Sequence, residues 1–137
     1  MHAEFLNVIM PKKHPLAKYQ KIKIEQLRND KWVELNKDLC PAILEDVEVY
    51  CRNAGFSRDA NIVQEVSNME LLAGLVSAGI GIAIYPSLSA NLSDEIVSKE
   101  LTFSDNTRLE LTKILAFKET LDDEYLQVLN SKFDVRG

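Results

Sequence analysis

From Ile80 to Tyr85 the chain runs through six consecutive non-polar residues, Ile80-Gly81-Ile82-Ala83-Ile84-Tyr85, and Pro86 stops them. An unbroken apolar run of that length, without polar alternation, is expected of a strand covered on both faces. Such a strand needs helices on two sides, so the neighbouring segments must supply them.

They do. Lys31-Trp32-Val33-Glu34-Leu35 reads as a short strand with aromatic and β-branched residues, and Asn61-Ile62-Val63-Gln64-Glu65-Val66 as another. Between them Pro41 suits a first helical turn, and Ile43, Leu44, Val47, Tyr50, Cys51 and Ala54 share one face. Gly55 can take the left-handed position after that helix, with the apolar Phe56 following. Ser67-Asn68-Met69-Glu70 matches a capping box and opens a second helix, which Gly79 can close. Met69, Leu71, Leu72, Leu75 and Val76 encircle this helix, which predicts burial on most sides. The order β-α-β-α-β with short connections implies a parallel sheet in a doubly wound α/β lobe.

The flanks are simpler. The segment from Glu4 to Met10 reads as a strand stopped by Pro11, followed by a loop and one or two helical turns. A strand is expected near Ile96–Phe103, another over Leu109–Phe117, and a last helix with Thr120 as its N-cap.

Composition narrows the function. The 137 residues are 46% hydrophobic and 27% charged, with a formal net charge of −5. That is a globular composition whose acidic surface repels a phosphate backbone, so specific duplex-DNA binding by this chain alone is not expected. The basic residues Lys12, Lys13, Lys18, Lys21 and Lys23 are read as a solvated stretch. No apolar run reaches the roughly 20 residues needed to cross a bilayer, and no secretory signal opens the chain. Cytoplasmic location is the expectation, with no membrane partner. On one helix Cys40 and Cys51 would stand roughly 16 Å apart, too far for a disulfide, so free thiols are expected.

Catalytic chemistry finds little support. His14 and His2 are the two histidines, and no residues stand at metal-ligand spacing. His14 is read as a turn residue and Cys51 as a buried, inert thiol. Gly79 and Gly81 match no phosphate-binding fingerprint, and the carboxylates Glu45, Asp46 and Glu48 are read as a solvated helix face. No cofactor and no metal are expected, and the chain is read as a non-enzyme. Ligand binding is better placed, because doubly wound folds bind at the C-terminal ends of their strands. Asn36, Val66, Ser67, Asn68 and Tyr85 fall there. Ser67 serves either as a cap alone or also as a ligand contact, and Tyr85 either packs between lobes or touches ligand. An anion is the ligand expected at the helix start opened by Ser67.

Three stretches carry a family resemblance: Val8-Ile9-Met10-Pro11 with His14-Pro15-Leu16-Ala17, then Cys51-Arg52-Asn53-Ala54-Gly55-Phe56, then Leu75 through Pro86. Together they resemble the effector-binding domain of LysR-type transcriptional regulators. The resemblance implies a two-lobed domain of the periplasmic-binding-protein type 2, with Rossmann-like lobes and the effector held between them. Residues 1–10 would be a crossover strand, 11–106 the second lobe, and 107–137 a returning strand and C-terminal helix of the first lobe. It adds Phe56 as an effector contact. It implies a homodimer or higher oligomer, with strand 61–66 and helix 41–54 as the associating edge and Val49 as the contact. DNA would be bound only through an upstream helix-turn-helix that this chain lacks. A solute-binding protein of a transport system shares the architecture and is the alternative.

Overall fold

A computed structural model describes residues 5–39, 41–86, 92–103 and 108. Cys40, the expected strand 109–117 and the helix opened by Thr120 lie outside the described residues. The strands are β1 (Leu6–Pro11), β2 (Lys21–Lys23), β3 (Trp32–Leu35), β4 (Ile62–Val66), β5 (Ala83–Pro86) and β6 (Ile96–Thr102). The helices are α1 (Pro41–Asn53) and α2 (Met69–Ser77), and short 3-10 turns occupy Pro15–Lys18, Ile24–Leu27 and Asp59–Asn61.

β3 and β4 pair in parallel, from Trp32↔Ile62 to Leu35↔Val66. Ile82 joins the free side of β3 through a parallel bridge to Trp32. The Val33 N–H donates to the Ile82 carbonyl and the Ile82 N–H to the Lys31 carbonyl, both at 2.8 Å. This is the parallel β-α-β-α-β core that the sequence predicts. A four-stranded sheet in the order β2-β6-β1-β5 lies beside it. β1 is antiparallel to both neighbours, and β2 is parallel to β6.

β1 is central because its sequence can be buried on both sides: Leu6, Val8, Ile9 and Met10 are all excluded from solvent. The hydrophobic effect is proportional to the apolar area removed from water, so this strand anchors the sheet. α2 packs against β1 and β3. α1 turns Leu44, Val47 and Cys51 inward, and Tyr50 stacks on Phe103 with centroids 3.9 Å apart. Gly55 (φ 94) and Gly79 (φ 81) take the left-handed conformation after the two helices, as their positions in the sequence predict.

Three expectations need correction. The run Ile80–Tyr85 is not one doubly covered strand. Ile80 is 43% exposed, Ile82 pairs with β3, and from Ala83 onward the chain pairs with β1 instead. α2 is buried along one face only, by Met69, Leu72 and Val76, while Leu71 is 52% exposed. An all-apolar helix circumference reports composition and does not say which neighbours exist to cover it. The helix also begins one residue later than the capping box places it, with Asn68 as N-cap.

Candidate functional site

The C-terminal ends of β3 and β4 meet the start of α2. Leu35 and Val66 are in register, and the Asn36 N–H continues the ladder by donating to the Val66 carbonyl at 2.8 Å. The Asn36 side-chain oxygen then accepts the Asp38 N–H at 3.0 Å, an Asx turn that bends the chain away from the sheet. Opposite, the Asn68 side-chain oxygen accepts the Leu71 N–H at 2.8 Å. Ser67 stays exposed in front of the helix. Asn36, Val66, Ser67 and Asn68 are therefore brought to one edge, where unpaired helix N–H groups and the helix dipole favour negative charge.

The other two residues are placed elsewhere. Tyr85 sits on β5 opposite Asn7, buried, and burial raises its phenol pKa above the usual value. Phe56 lies at the opposite end of the parallel strands. Arg28 stands 5.7 Å from its ring centroid, and the same Arg28 donates to the Ala54 carbonyl at 2.9 Å. The Arg28 carbonyl in turn accepts from the Asn61 side chain, just before β4 begins. Phe56 thus packs at the strand starts, apart from Asn36, Ser67 and Asn68.

The structure also assembles polar groups that sequence reasoning missed. Asn7 on β1 is opposite both Tyr85 and Glu100, so the three share a sheet face. Its side chain donates to the Ser98 hydroxyl at 3.0 Å and accepts from Arg108 Nη2 at 2.8 Å, and Arg108 Nη1 pairs with Glu100 at 2.9 Å. A polar Asn7 inside an otherwise apolar strand was the available signal. A second group is buried against α1. Arg58, 1% exposed, pairs with Glu34 through Nη1 and with Glu48 through Nε at 2.8 Å, and its guanidinium lies 5.3 Å from the Trp32 ring centroid. Glu48 is accordingly no solvated carboxylate, because it holds half of a buried cation. Desolvation raises the Glu34 pKa against the opposing pull of Arg58.

His14 is a turn residue, as read. It accepts the Leu16 N–H at Nδ1 (3.0 Å), so the proton sits on Nε2, which donates to Asp30 at 2.7 Å. Cys51 is buried, and desolvation pushes its thiol up to about 12, which leaves it unreactive. Among the described residues no group of three His, Cys, Asp or Glu could hold a metal, and no helix is long and apolar enough to cross a membrane.

The model of the LysR substrate binding domain matches residues 2–110. The chain belongs to this family. Residues 8–17, 51–56 and 75–86, which carry the sequence resemblance, all fall inside the match, the first beginning within β1 and the last forming the passage from α2 into β5. The chain is 32% identical over 111 residues to the HTH-type transcriptional regulator AlsR of Bacillus subtilis (strain 168), covering 80% of this chain and 35% of AlsR. It thus spans about a third of the length of that relative. The effector-binding domain of BenM with its effector benzoate superposes with a TM-score of 0.65 at 18% identity, over 99% of this chain and 64% of that one. The effector-binding domain of QuiR in complex with shikimate gives 0.57 at 20% identity, over 86% and 59%. The two superpositions show a common fold, the periplasmic-binding-protein type 2 architecture of LysR effector-binding domains. The family match favours effector binding in a regulator over the transport alternative.

Proposed function

We propose that this chain is the ligand-sensing part of a cytoplasmic LysR-type regulator of transcription, that it is non-catalytic, and that its effector is a small anion. In this reading residues 1–10 are a crossover strand, 11–106 the second lobe, and 107–137 parts of the first lobe. Asn36, Val66, Ser67 and Asn68 form one wall of the effector cleft, and Tyr85 flanks it on the strand leaving the lobe. Phe56 packs beside Arg28 at the strand starts, and the family resemblance offers it as a further effector contact. DNA is bound by a helix-turn-helix elsewhere in the regulator, and copies of the chain associate through β4 and α1.

The observation that carries the reading is the edge itself. The ends of β3 and β4, the exposed Ser67 and the positive end of α2 converge on it. A carboxylate is satisfied there by backbone N–H groups and a hydroxyl without a lysine. Benzoate and shikimate, the ligands of the two structural neighbours, are both carboxylates. The test is calorimetric titration of the regulator with a panel of small carboxylates and their amides. Saturable heat with a carboxylate, absent with its amide and weakened by Ser67→Ala, supports the site. Equal binding of acid and amide, or no effect of Ser67→Ala, removes it.

A further inference from the structure

β1 is antiparallel to β6, with Asn7 opposite Glu100, so β1 begins and β6 ends at the same end of their sheet. One guanidinium spans these two strands. Arg108 Nη1 pairs with Glu100 of β6 at 2.9 Å, and Nη2 donates to the Asn7 side-chain oxygen of β1 at 2.8 Å. Its central carbon stands 4.3 Å from the Phe5 ring centroid. Asn7 is the decisive residue. Leu6, Val8, Ile9 and Met10 around it are apolar and excluded from solvent, yet Asn7 is itself buried. A buried amide is costly unless its hydrogen bonds are made, a cost that leucine would not carry. The amide is oriented by its other partner: Nδ2 donates to the Ser98 hydroxyl at 3.0 Å, which leaves Oδ1 to accept from Arg108. The polar position in β1 therefore serves a residue 101 positions further along the chain. A planar guanidinium holds two acceptors in fixed directions, which the single ammonium of lysine does not do.

We propose that Arg108 is a positioning residue, a clasp that fixes the chain beyond it against β1 and β6. Three contacts on one side chain then set the angle between the described lobe and residues 109–137. The proposal rests on the reading of residues 107–137 as returning pieces of the first lobe, which places Arg108 at the crossing between lobes. It does not rest on the anion site at Ser67, and the measurement that tests it uses no effector.

The test is a distance measurement on the whole regulator. Spin labels are attached through Ser57→Cys, at an exposed position, and Glu119→Cys, in the turn that the sequence puts between strand 109–117 and the helix opened by Thr120. Cys40→Ser is the background, and Cys51 is buried. Pulsed electron–electron resonance should give one narrow distance distribution in the parent. In Arg108→Ala and Arg108→Lys the distribution should broaden toward longer distances. Arg108→Ala can impair folding, so Asn7→Leu is a further variant. It keeps β1 apolar and removes the acceptor, and it should broaden the distribution while the melting temperature holds. Val33→Ala, a cavity in buried β3, controls for lost stability and should lower the melting temperature without broadening. A parent that is already broad, variants that match a narrow parent, or equal broadening in Val33→Ala would overturn the inference.

Discussion

The side-chain oxygen of Asn68 accepts the backbone N–H of Leu71 at 2.8 Å. That bond satisfies one of the donors that every helix start leaves open. Asn68→Ala should therefore cost about 1 kcal/mol of stability, and Ser67→Ala much less, because Ser67 does not hold the cap. Urea unfolding of the two variants separates these effects. If Ser67→Ala proves as destabilising as Asn68→Ala, the cap assignment is wrong.

Gly81 and Gly74 make opposite demands. A Cβ on Gly81 would stand 2.8 Å from the Lys31 carbonyl oxygen and 3.1 Å from its carbon, both backbone atoms that cannot swing aside. Gly81→Ala should destabilise by about 1–3 kcal/mol, the range of overpacking. Gly74 lies inside α2 with nothing within 4 Å of the added atom. Gly74→Ala should stabilise by roughly 0.5–1 kcal/mol, because glycine is a poor helix former. Chemical denaturation that ranked the pair the other way would contradict the packing described for residues 79–82.

The outer side of β4 and the nearby face of α1 leave Val63 (44%) and Val49 (45%) exposed. In the described sheet β4 pairs with β3 alone, so it presents a strand edge that can template association. Light scattering across a concentration series should show self-association that Val49→Glu weakens. A monomer at every concentration, or a variant that assembles like the parent, would exclude this surface.

Glu34 sets a pH dependence of stability with a definite sign. Its pKa is raised by folding above the usual 4.5, through burial first. The folded state therefore holds the proton to higher pH than the unfolded chain does. The contribution is full below 4.5 and is lost as pH rises through the folded pKa, so this group makes stability fall with rising pH there. Glu34→Gln should flatten that decline. Unfolding free energies measured from pH 4.5 to 7 with the same slope in parent and variant would refute it.

Much of the parallel core was legible because its signals are local. Glycine closed both helices where its freedom from a Cβ was needed, and the inward positions Leu44, Val47 and Cys51 follow helical periodicity. The start of α2 was legible only to within a residue, since Ser67 and Asn68 are both competent caps and the backbone path chooses between them. Glu34 and Arg58 were not legible at all. A charge in a strand and a charge in a loop reveal their pairing only when the fold brings 34 and 58 together. Phe56 illustrates the converse. The Gly55-Phe56 pair reads from the sequence as a family feature, whereas its place beside Arg28 follows from the direction in which α1 returns the chain to the strand starts.

The passage through Ile82 and Ala83 has a mechanical consequence. Ile82 is held to Trp32 of the parallel sheet, and the very next residue, Ala83, is held to Ile9 of the antiparallel one. There is no slack between the two attachments. The Ile82 carbonyl that accepts the Val33 N–H at 2.8 Å lies in the same planar peptide as the Ala83 N–H, so the parallel and antiparallel ladders share one rigid unit and the register of each sheet is fixed against the other at this point.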